Sequence, residues 1–143
     1  MKKEKAIVIG SGRLGSYIAS ELSLKGHDVV IIDRDGDAFR KLSDQYSGYR
    51  YIGDAVDSEV LEQAGIEDAD ILIATTNNDN TNIFVAHIAS MIYFVEKVYL
   101  RLGDVEKKTL IENTNIHAIY PFKLSMDEFN RSFGGVKNEN SHQ

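Results

Sequence analysis

Short apolar runs alternate along the chain with segments whose apolar residues recur at helical spacing. The first run, residues 6–9, is followed by glycine, and then Leu14, Ile18 and Leu22 stand four residues apart. A continuous apolar run suits a strand that is buried on both faces, whereas an interval of four gives a helix one apolar stripe. Strand followed by helix is the repeating unit of an α/β protein.

The same alternation continues to Pro121. Strands are predicted at residues 6–9, 29–32, 49–52, 71–74, 98–100 and 116–120. Helices are predicted from about residue 14 to Gly26, at 37–46, around 60–64, at 80–94 and at 106–112. Because crossovers between parallel strands are right-handed, this order predicts an α/β, Rossmann-type, doubly wound parallel sheet of about six strands with helices on both faces.

The sequence changes character after Pro121, the only proline, which is predicted to end the last strand. Residues 122–133 form an amphipathic segment, and residues 134–143 form a polar tail that we expect to be disordered. Phe129 and Phe133 have no obvious place in a domain that is complete at residue 121. We expect this segment to contact a partner subunit; the alternative is that it folds back on its own sheet.

Composition excludes several classes of function. A net charge of −6 and a pI near 5.2 argue against binding to nucleic acid or to an anionic lipid surface. The most apolar late stretch, residues 83–95, is interrupted by His87 and Ser90 and is too short to insert into a membrane. Cysteine is absent and the four histidines are scattered, so no metal site is predicted. These features suit a cytoplasmic protein.

The turn after the first strand has the pattern G-x-G-x-x-G, in the strand-to-helix context that this pattern requires. The first glycine allows a tight turn, the second lets the backbone approach a pyrophosphate, and the third lets the helix pack on the strand. Phosphate would meet the unpaired N–H groups at the start of the helix. The alternative is a glycine turn that serves packing alone. The residues of this turn that belong to the predicted cofactor-binding site are Gly10, Ser11, Gly12, Arg13, Leu14 and Gly15.

Three charged residues refine the expected ligand. Asp33 ends the second strand, about 20 residues beyond the turn, where an acid can hold ribose hydroxyls and repel a 2′-phosphate. It therefore favours NAD or an adenosine nucleotide over NADP, and the adjacent Arg34 weakens that preference. Arg13 is placed to reach a terminal phosphate, which would favour ATP or ADP; the alternative is an exposed arginine in the first helical turn.

Four stretches resemble the nucleotide-binding half of the RCK/KTN (TrkA-N) family of cytoplasmic subunits that gate bacterial and archaeal potassium uptake systems. They are GSGRLG at 10–15, GHDVVIID at 26–33, GDAVDSEVLEQAGIEDADILIATTNNDNTN at 53–82 and VYLRLGD at 98–104. The resemblance covers roughly residues 5–121, and the third stretch is its most specific part. Residues 1–121 are accordingly predicted to be the nucleotide-binding domain.

The resemblance implies further binding residues. Asp54 and Ala55 would lie beside the adenine, Thr75, Thr76 and Asn77 would line the cleft after the fourth strand, and Arg101 would face the phosphates or a neighbouring subunit. Residues 77–82 form either a polar loop with a helix cap or a ligand contact. The residues added to the predicted site are Gly53, Asp54, Ala55, Thr75, Thr76, Asn77, Asn82 and Arg101.

The expected function is that of a regulatory subunit rather than an enzyme. The resemblance implies binding of an adenine nucleotide (ATP, ADP or AMP) or NAD(H), assembly as a homodimer or higher oligomer, and attachment to the membrane subunit of a potassium channel or transporter at the inner face of the membrane. Family members commonly carry a second, C-terminal ligand-sensing domain. The sequence is therefore expected to be either a stand-alone member of the family or part of a longer protein. The alternatives are an NAD-dependent oxidoreductase fragment and a scaffold that binds no nucleotide.

Overall fold

The computed structural model describes the backbone of residues 2–141 and the side chains of residues 2–134. Its centre is one parallel sheet of six strands in the order β3-β2-β1-β4-β5-β6. The strands are β1 (Lys5–Ile9), β2 (Asp28–Asp33), β3 (Tyr49–Ile52), β4 (Ile71–Ala74), β5 (Lys97–Arg101) and β6 (Ile116–Ile119). The order reverses between β1 and β4, as in the doubly wound fold. The predicted fold class is confirmed.

Helices connect the strands on both faces of the sheet. The α-helices are α1 (Arg13–Leu24), α2 (Ser58–Gln63), α3 (Asp79–His87) and α4 (Pro121–Ser141). Shorter 3₁₀ segments lie at Gly36–Lys41, Ile66–Asp68 and Val105–Ile111, and a π-helical turn at Ile88–Ile92 extends α3.

The core consists of two apolar clusters, one on each face of the sheet. Along β1, Ile7 and Ile9 belong to the cluster with α2 and α3, whereas Ala6 and Val8 belong to the cluster with α1. All four side chains are at most 2% exposed. Successive residues of a strand point to opposite faces, so a strand covered on both faces must be apolar at every position. This requirement explains the uninterrupted apolar runs.

Three connections differ in type from the sequence prediction. The α-helix expected at 37–46 is a 3₁₀ segment, Gly36–Lys41, which Asp35 caps by accepting the Asp37 N–H and which ends at Leu42, whose backbone is extended. Residues 105–111 are also 3₁₀. The helix expected at 80–94 changes to π geometry and ends before Phe94, whose φ of +53° lies in the left-handed region and cannot continue the helix. Apolar spacing places a helical turn but does not distinguish i+3, i+4 and i+5 hydrogen bonding.

The C-terminal segment is longer and more regular than the sequence predicted. Pro121 begins α4, as proline favours the first helical position, where the missing N–H has no partner to lose. The backbone is helical through Ser141, which includes residues 134–141 of the tail that the sequence was expected to leave disordered, and no further proline follows Pro121. His142 and Gln143 lie outside the described residues. None of the described helices is both long and apolar enough to cross a membrane.

Candidate functional site

A cleft of about 510 Å³ opens at the carboxyl edge of the sheet, where the strand order reverses between β1 and β4. Open parallel sheets bind their ligands at such a position, because the connections that follow neighbouring strands there leave in opposite directions. The cleft is lined by the ends of β1, β2 and β4 and by the residues after β3. Predicted site residues that line it are Gly10, Ser11, Gly12, Asp33, Arg34, Gly53, Asp54, Ala55, Thr75, Thr76 and Asn77.

The three glycines of the turn have different structural roles. Gly10 has a φ of +97°, and a Cβ there would lie 3.0 Å from the Thr75 carbonyl. A Cβ on Gly15 would lie 1.9 Å from the Gly10 carbonyl oxygen, so the close approach of α1 to β1 requires glycine. At Gly12, by contrast, a Cβ would meet nothing within 4 Å. The first and third glycines build the turn, and the second leaves space that a ligand can occupy.

The first turn of α1 offers hydrogen-bond donors to the cleft. Gly12 is its N-cap residue, no side chain caps this end, and the first turn carries no acidic residue. The first four N–H groups of a helix have no partner within the helix, and the helix dipole adds positive potential there. This end of α1 therefore suits a phosphate group.

Asp33 joins β2 to the glycine turn. Its Oδ2 accepts the Ser11 N–H at 2.7 Å, and its Oδ1 accepts the Asp35 N–H at 2.9 Å. A carboxylate has about four acceptor positions, so both oxygens retain capacity for ribose hydroxyls. The Ser11 Oγ is already engaged within the protein, since it bonds to Ser16 Oγ and donates to the Ala38 carbonyl.

The end of β4 forms the opposite wall. Thr75 is buried, and its hydroxyl donates to the carbonyls of Ile9 at 2.9 Å and Gly10 at 3.2 Å, which ties the glycine turn to β4. Thr76 and Asn77 follow and line the cleft. Asn82 is fully buried behind them and bonds to Thr76, so it does not line the cleft.

Charged side chains surround the far end of the cleft, beyond β2 and β3. Arg34 Nη1 lies 3.8 Å from Asp54 Oδ2, and both side chains are substantially exposed, so this ion pair contributes little to stability. Lys41, at the end of the 3₁₀ segment after β2, also lines the cleft. Two basic and three acidic side chains therefore lie here, since Asp33, Asp35 and Asp54 all line the same cleft.

Five predicted residues lie outside the cleft lining. Arg13 is exposed at the first position of α1, and Leu14 and Gly15 lie farther along this helix. Asn82 is buried, and Arg101 donates from Nη1 to the Thr76 carbonyl at 3.2 Å. Arg101 and Asn82 thus contact a residue of the wall rather than the cleft itself.

Other residues line the cleft that the sequence did not assign to the site. Asn78 and Thr81 belong to the stretch 77–82, for which a ligand contact was left open, and the residues missed altogether are Ile9, Ile32, Asp35, Ala38, Lys41 and Val56. Most were detectable in principle, because they flank the carboxyl ends of predicted strands, which meet at one edge of a parallel sheet. Lys41 lies eight residues beyond the end of β2, at the end of the 3₁₀ segment, and its place in the lining depends on the path of that segment.

Comparison with known proteins identifies sequence relatives over most of the chain. The chain is 34% identical over 125 residues to the Trk system potassium uptake protein TrkA of Streptomyces coelicolor, covering 87% of this chain and 56% of that protein. It is 38% identical over 106 residues to a TrkA homolog of Pyrococcus abyssi, covering 74% of this chain and 47% of that protein. The chain thus spans about half the length of these curated relatives.

Solved structures share the fold. The GsuK channel bound to NAD superposes with a TM-score of 0.79 at 23% identity, covering 96% of this chain and 24% of that chain. The Kef C-terminal domain of Shewanella denitrificans in its AMP-bound form superposes with a TM-score of 0.70 at 19% identity, covering 96% of this chain and 86% of that chain. The TrkA-N domain family model matches residues 6–121, a region that contains the cleft and all of the sheet except Lys5, the first residue of β1. The chain therefore belongs to the TrkA-N domain family.

Proposed function

We propose that this chain is a nucleotide-binding regulatory domain that controls potassium transport by a membrane channel or transporter. The observation that carries the proposal is the cleft at the switch point, where Gly12, at the uncapped N-terminus of α1, lines the same space as Asp33. Donors for a phosphate beside an acceptor for ribose hydroxyls form a site for a nucleotide. The ligand is an adenine nucleotide (ATP, ADP or AMP) or NAD(H).

The relatives support the role in potassium transport. Both sequence relatives described above are named Trk system potassium uptake proteins or homologs. Proteins with this fold include a channel bound to NAD and a domain in an AMP-bound form. On this basis we assign the domain to the cytoplasmic side of the membrane, attached through the membrane subunit of a transporter.

We infer regulation rather than catalysis, because the sequence relatives are named potassium uptake proteins. A bound nucleotide controls a transporter by binding one shape of the domain more tightly than another, and the shift in the equilibrium cannot exceed that difference in affinity.

Calorimetric titration with ATP, ADP, AMP, NAD, NADH and NADPH tests the proposal. At least one adenine nucleotide should bind, and NADPH should bind more weakly than NADH because Asp33 repels a 2′-phosphate. Absence of binding to all six would refute a nucleotide-binding function. Oxidation of NADH in the presence of candidate carbonyl substrates, followed by absorbance, would instead establish an oxidoreductase.

Arg13 distinguishes among the phosphates. It is exposed at the start of α1, and rotation of its side chain over the cleft would bring the guanidinium to a terminal phosphate. Arg13→Ala should weaken ATP and ADP binding by about tenfold and leave AMP binding nearly unchanged. Arg40→Ala is the control, since Arg40 is also exposed but does not line the cleft. Equal affinities in both variants would exclude a role for Arg13 in phosphate recognition.

Helix α4 carries the proposed dimer contact. Phe122, Met126, Phe129 and Phe133 recur on one helical face and are 39–81% exposed. The rings of Phe129 and Phe133 stack with centroids 5.5 Å apart. A second copy of the chain would bury this face. Sedimentation should detect a dimer that the double variant Phe129→Ser/Phe133→Ser converts to monomer, whereas Lys123→Ser, off this face, leaves it intact; a wild-type monomer would rule the contact out.

A further inference from the structure

The side-chain amide of Asn82 is completely used, although Asn82 lines no part of the cleft. Its Oδ1 accepts from the Thr76 N–H at 2.9 Å and from the Thr76 hydroxyl at 2.7 Å. Its Nδ2 donates to the Thr76 carbonyl at 3.1 Å and to the Arg101 carbonyl at 2.9 Å. A primary amide has two donor hydrogens and two acceptor lone pairs, so all four are satisfied, three of them by one residue.

The Thr76 carbonyl is therefore held from two sides. It accepts from Asn82 Nδ2 and also from Arg101 Nη1 at 3.2 Å. Asn82 is fully buried and Arg101 is half-buried, so water competes weakly for these bonds. The orientation of this carbonyl is thus fixed by the end of β5 and the start of α3.

A fixed carbonyl fixes the N–H of the same peptide group. In a planar trans peptide the C=O and N–H vectors point in opposite directions. Since the Thr76 carbonyl faces Asn82 and Arg101, the Asn77 N–H points away from them. Asn77 lines the cleft, and its N–H has no acceptor within the described part of the chain.

The strand order places this N–H at one end of the ligand. The strands lie in the order β3, β2, β1, β4. Along this order, the cleft is lined by the residues after β3, then by Asp33 at the end of β2, then by the glycine turn after β1, and finally by Asn77 after β4. A nucleotide whose ribose lies at Asp33 and whose first phosphate lies at the start of α1 then continues towards the end of β4. The group that reaches Asn77 therefore lies beyond the first phosphate.

We propose that Asn82, together with Arg101, is a positioning residue that presents the Asn77 backbone N–H to the phosphate beyond the α-phosphate of a bound nucleotide. This inference rests on the proposed nucleotide-binding function. The buried Asn82 amide would then help the site to distinguish ADP and ATP from AMP. Because Arg101 also holds the Thr76 carbonyl, this recognition would depend on the end of β5 as well.

Hydrogen exchange of the wild-type Asn77 amide, followed by NMR, is the direct test. This exposed N–H should exchange rapidly without ligand and at least tenfold more slowly with saturating ATP, whereas AMP should protect it far less. This measurement requires no substitution. Equal protection by ATP and AMP, or none by either while both bind, would overturn the proposal.

A matched pair of substitutions provides the second test. Asn82→Asp keeps the size and loses the Nδ2 donor, whereas Asn115→Asp removes an amide that donates to the Val95 and Glu96 carbonyls at the opposite edge of the sheet. Only the first should weaken ATP and ADP binding, by on the order of tenfold, with adenosine binding unchanged. Equal affinities in the two variants would overturn the proposal. Failure of the wild type to bind any nucleotide would refute the proposed function itself, and this inference with it.

Discussion

Replacement of Asp33 should separate an interaction that its carboxylate makes with the protein from one that it makes with a ligand. Oδ2 accepts the N–H of the fully buried Ser11, so Asp33→Ala leaves that donor without a partner. The second N–H, that of Asp35, is exposed, and water can replace the carboxylate there. We therefore expect Asp33→Ala to lower the free energy of unfolding by about 2 kcal/mol, most of it from the Ser11 N–H.

Asp33→Asn tests the ligand interaction alone. The amide oxygen can still accept the Ser11 N–H, so the loss of stability should stay below about 1 kcal/mol. The charge and part of the acceptor capacity for ribose disappear. Since a hydrogen bond to a charged group contributes about 1.5–3 kcal/mol, the affinity for ATP should fall roughly tenfold to a hundredfold.

The assay compares ATP with 2′,3′-dideoxy-ATP, whose ribose has no hydroxyl for Asp33 to bind. Asp33→Asn should weaken ATP binding and leave the affinity for the dideoxy nucleotide nearly unchanged. Asp57→Asn is the control, because Asp57 accepts the Glu59 N–H at the start of α2, outside the cleft. Equal losses for both nucleotides would refute ribose binding by Asp33. If urea unfolding gave Asp33→Ala the same free energy of unfolding as the wild type, the role of Asp33 in stabilising the glycine turn would be refuted.

Two further substitutions test the packing of the fold. Gly15→Ala places a Cβ 1.9 Å from the Gly10 carbonyl oxygen, so urea unfolding should show a loss of about 3 kcal/mol, whereas Gly103→Ala, with its nearest atom 3.6 Å away, should be nearly neutral. Burial raises the pKa of Tyr46 from 10.0 to about 12. As pH rises, the unfolded chain loses the Tyr46 proton before the folded chain does, so the free energy of unfolding should fall by about 2 kcal/mol between pH 10 and 12. Tyr46→Phe should abolish this dependence of the free energy of unfolding on pH. A loss at Gly103 equal to that at Gly15, or an unchanged slope in Tyr46→Phe, would contradict these arguments.

The central strands β1 and β4 were predictable because burial on both faces demands apolar residues at nearly every position, whereas the edge strand β3 is largely exposed. All six strands lie within about two residues of the positions inferred from apolar runs, and β3 and β4 coincide with them. The turns between them were less predictable. Whether residues 36–41 form a 3₁₀ or an α-helix depends on hydrogen bonds to Asp35 and on the backbone at Leu42, which apolar spacing does not encode.

The cleft was predictable where local sequence determines local geometry. The glycine turn and Asp33 follow directly from the strand-to-helix pattern, and both line the cleft. Asn82 and Arg101 are different, because their partner is the Thr76 backbone and the contacts connect β4, α3 and β5. Such contacts arise from tertiary packing. The sequence shows that Asn82 and Arg101 are polar and predicts that they lie near the cleft, but it does not show that they contact the wall of the cleft rather than a ligand.

Helix α4 has a thermodynamic consequence that follows from its exposure. It contains 21 residues and so extends over roughly 30 Å. Side chains 122–133 are exposed, so tertiary packing within the chain, the main source of helix stability in proteins, adds little here. If a second copy covers the apolar face, ordering of the helix and association become one equilibrium. The helical content of the protein then depends on its concentration, and the abundance of the subunit sets how much of its own chain is folded.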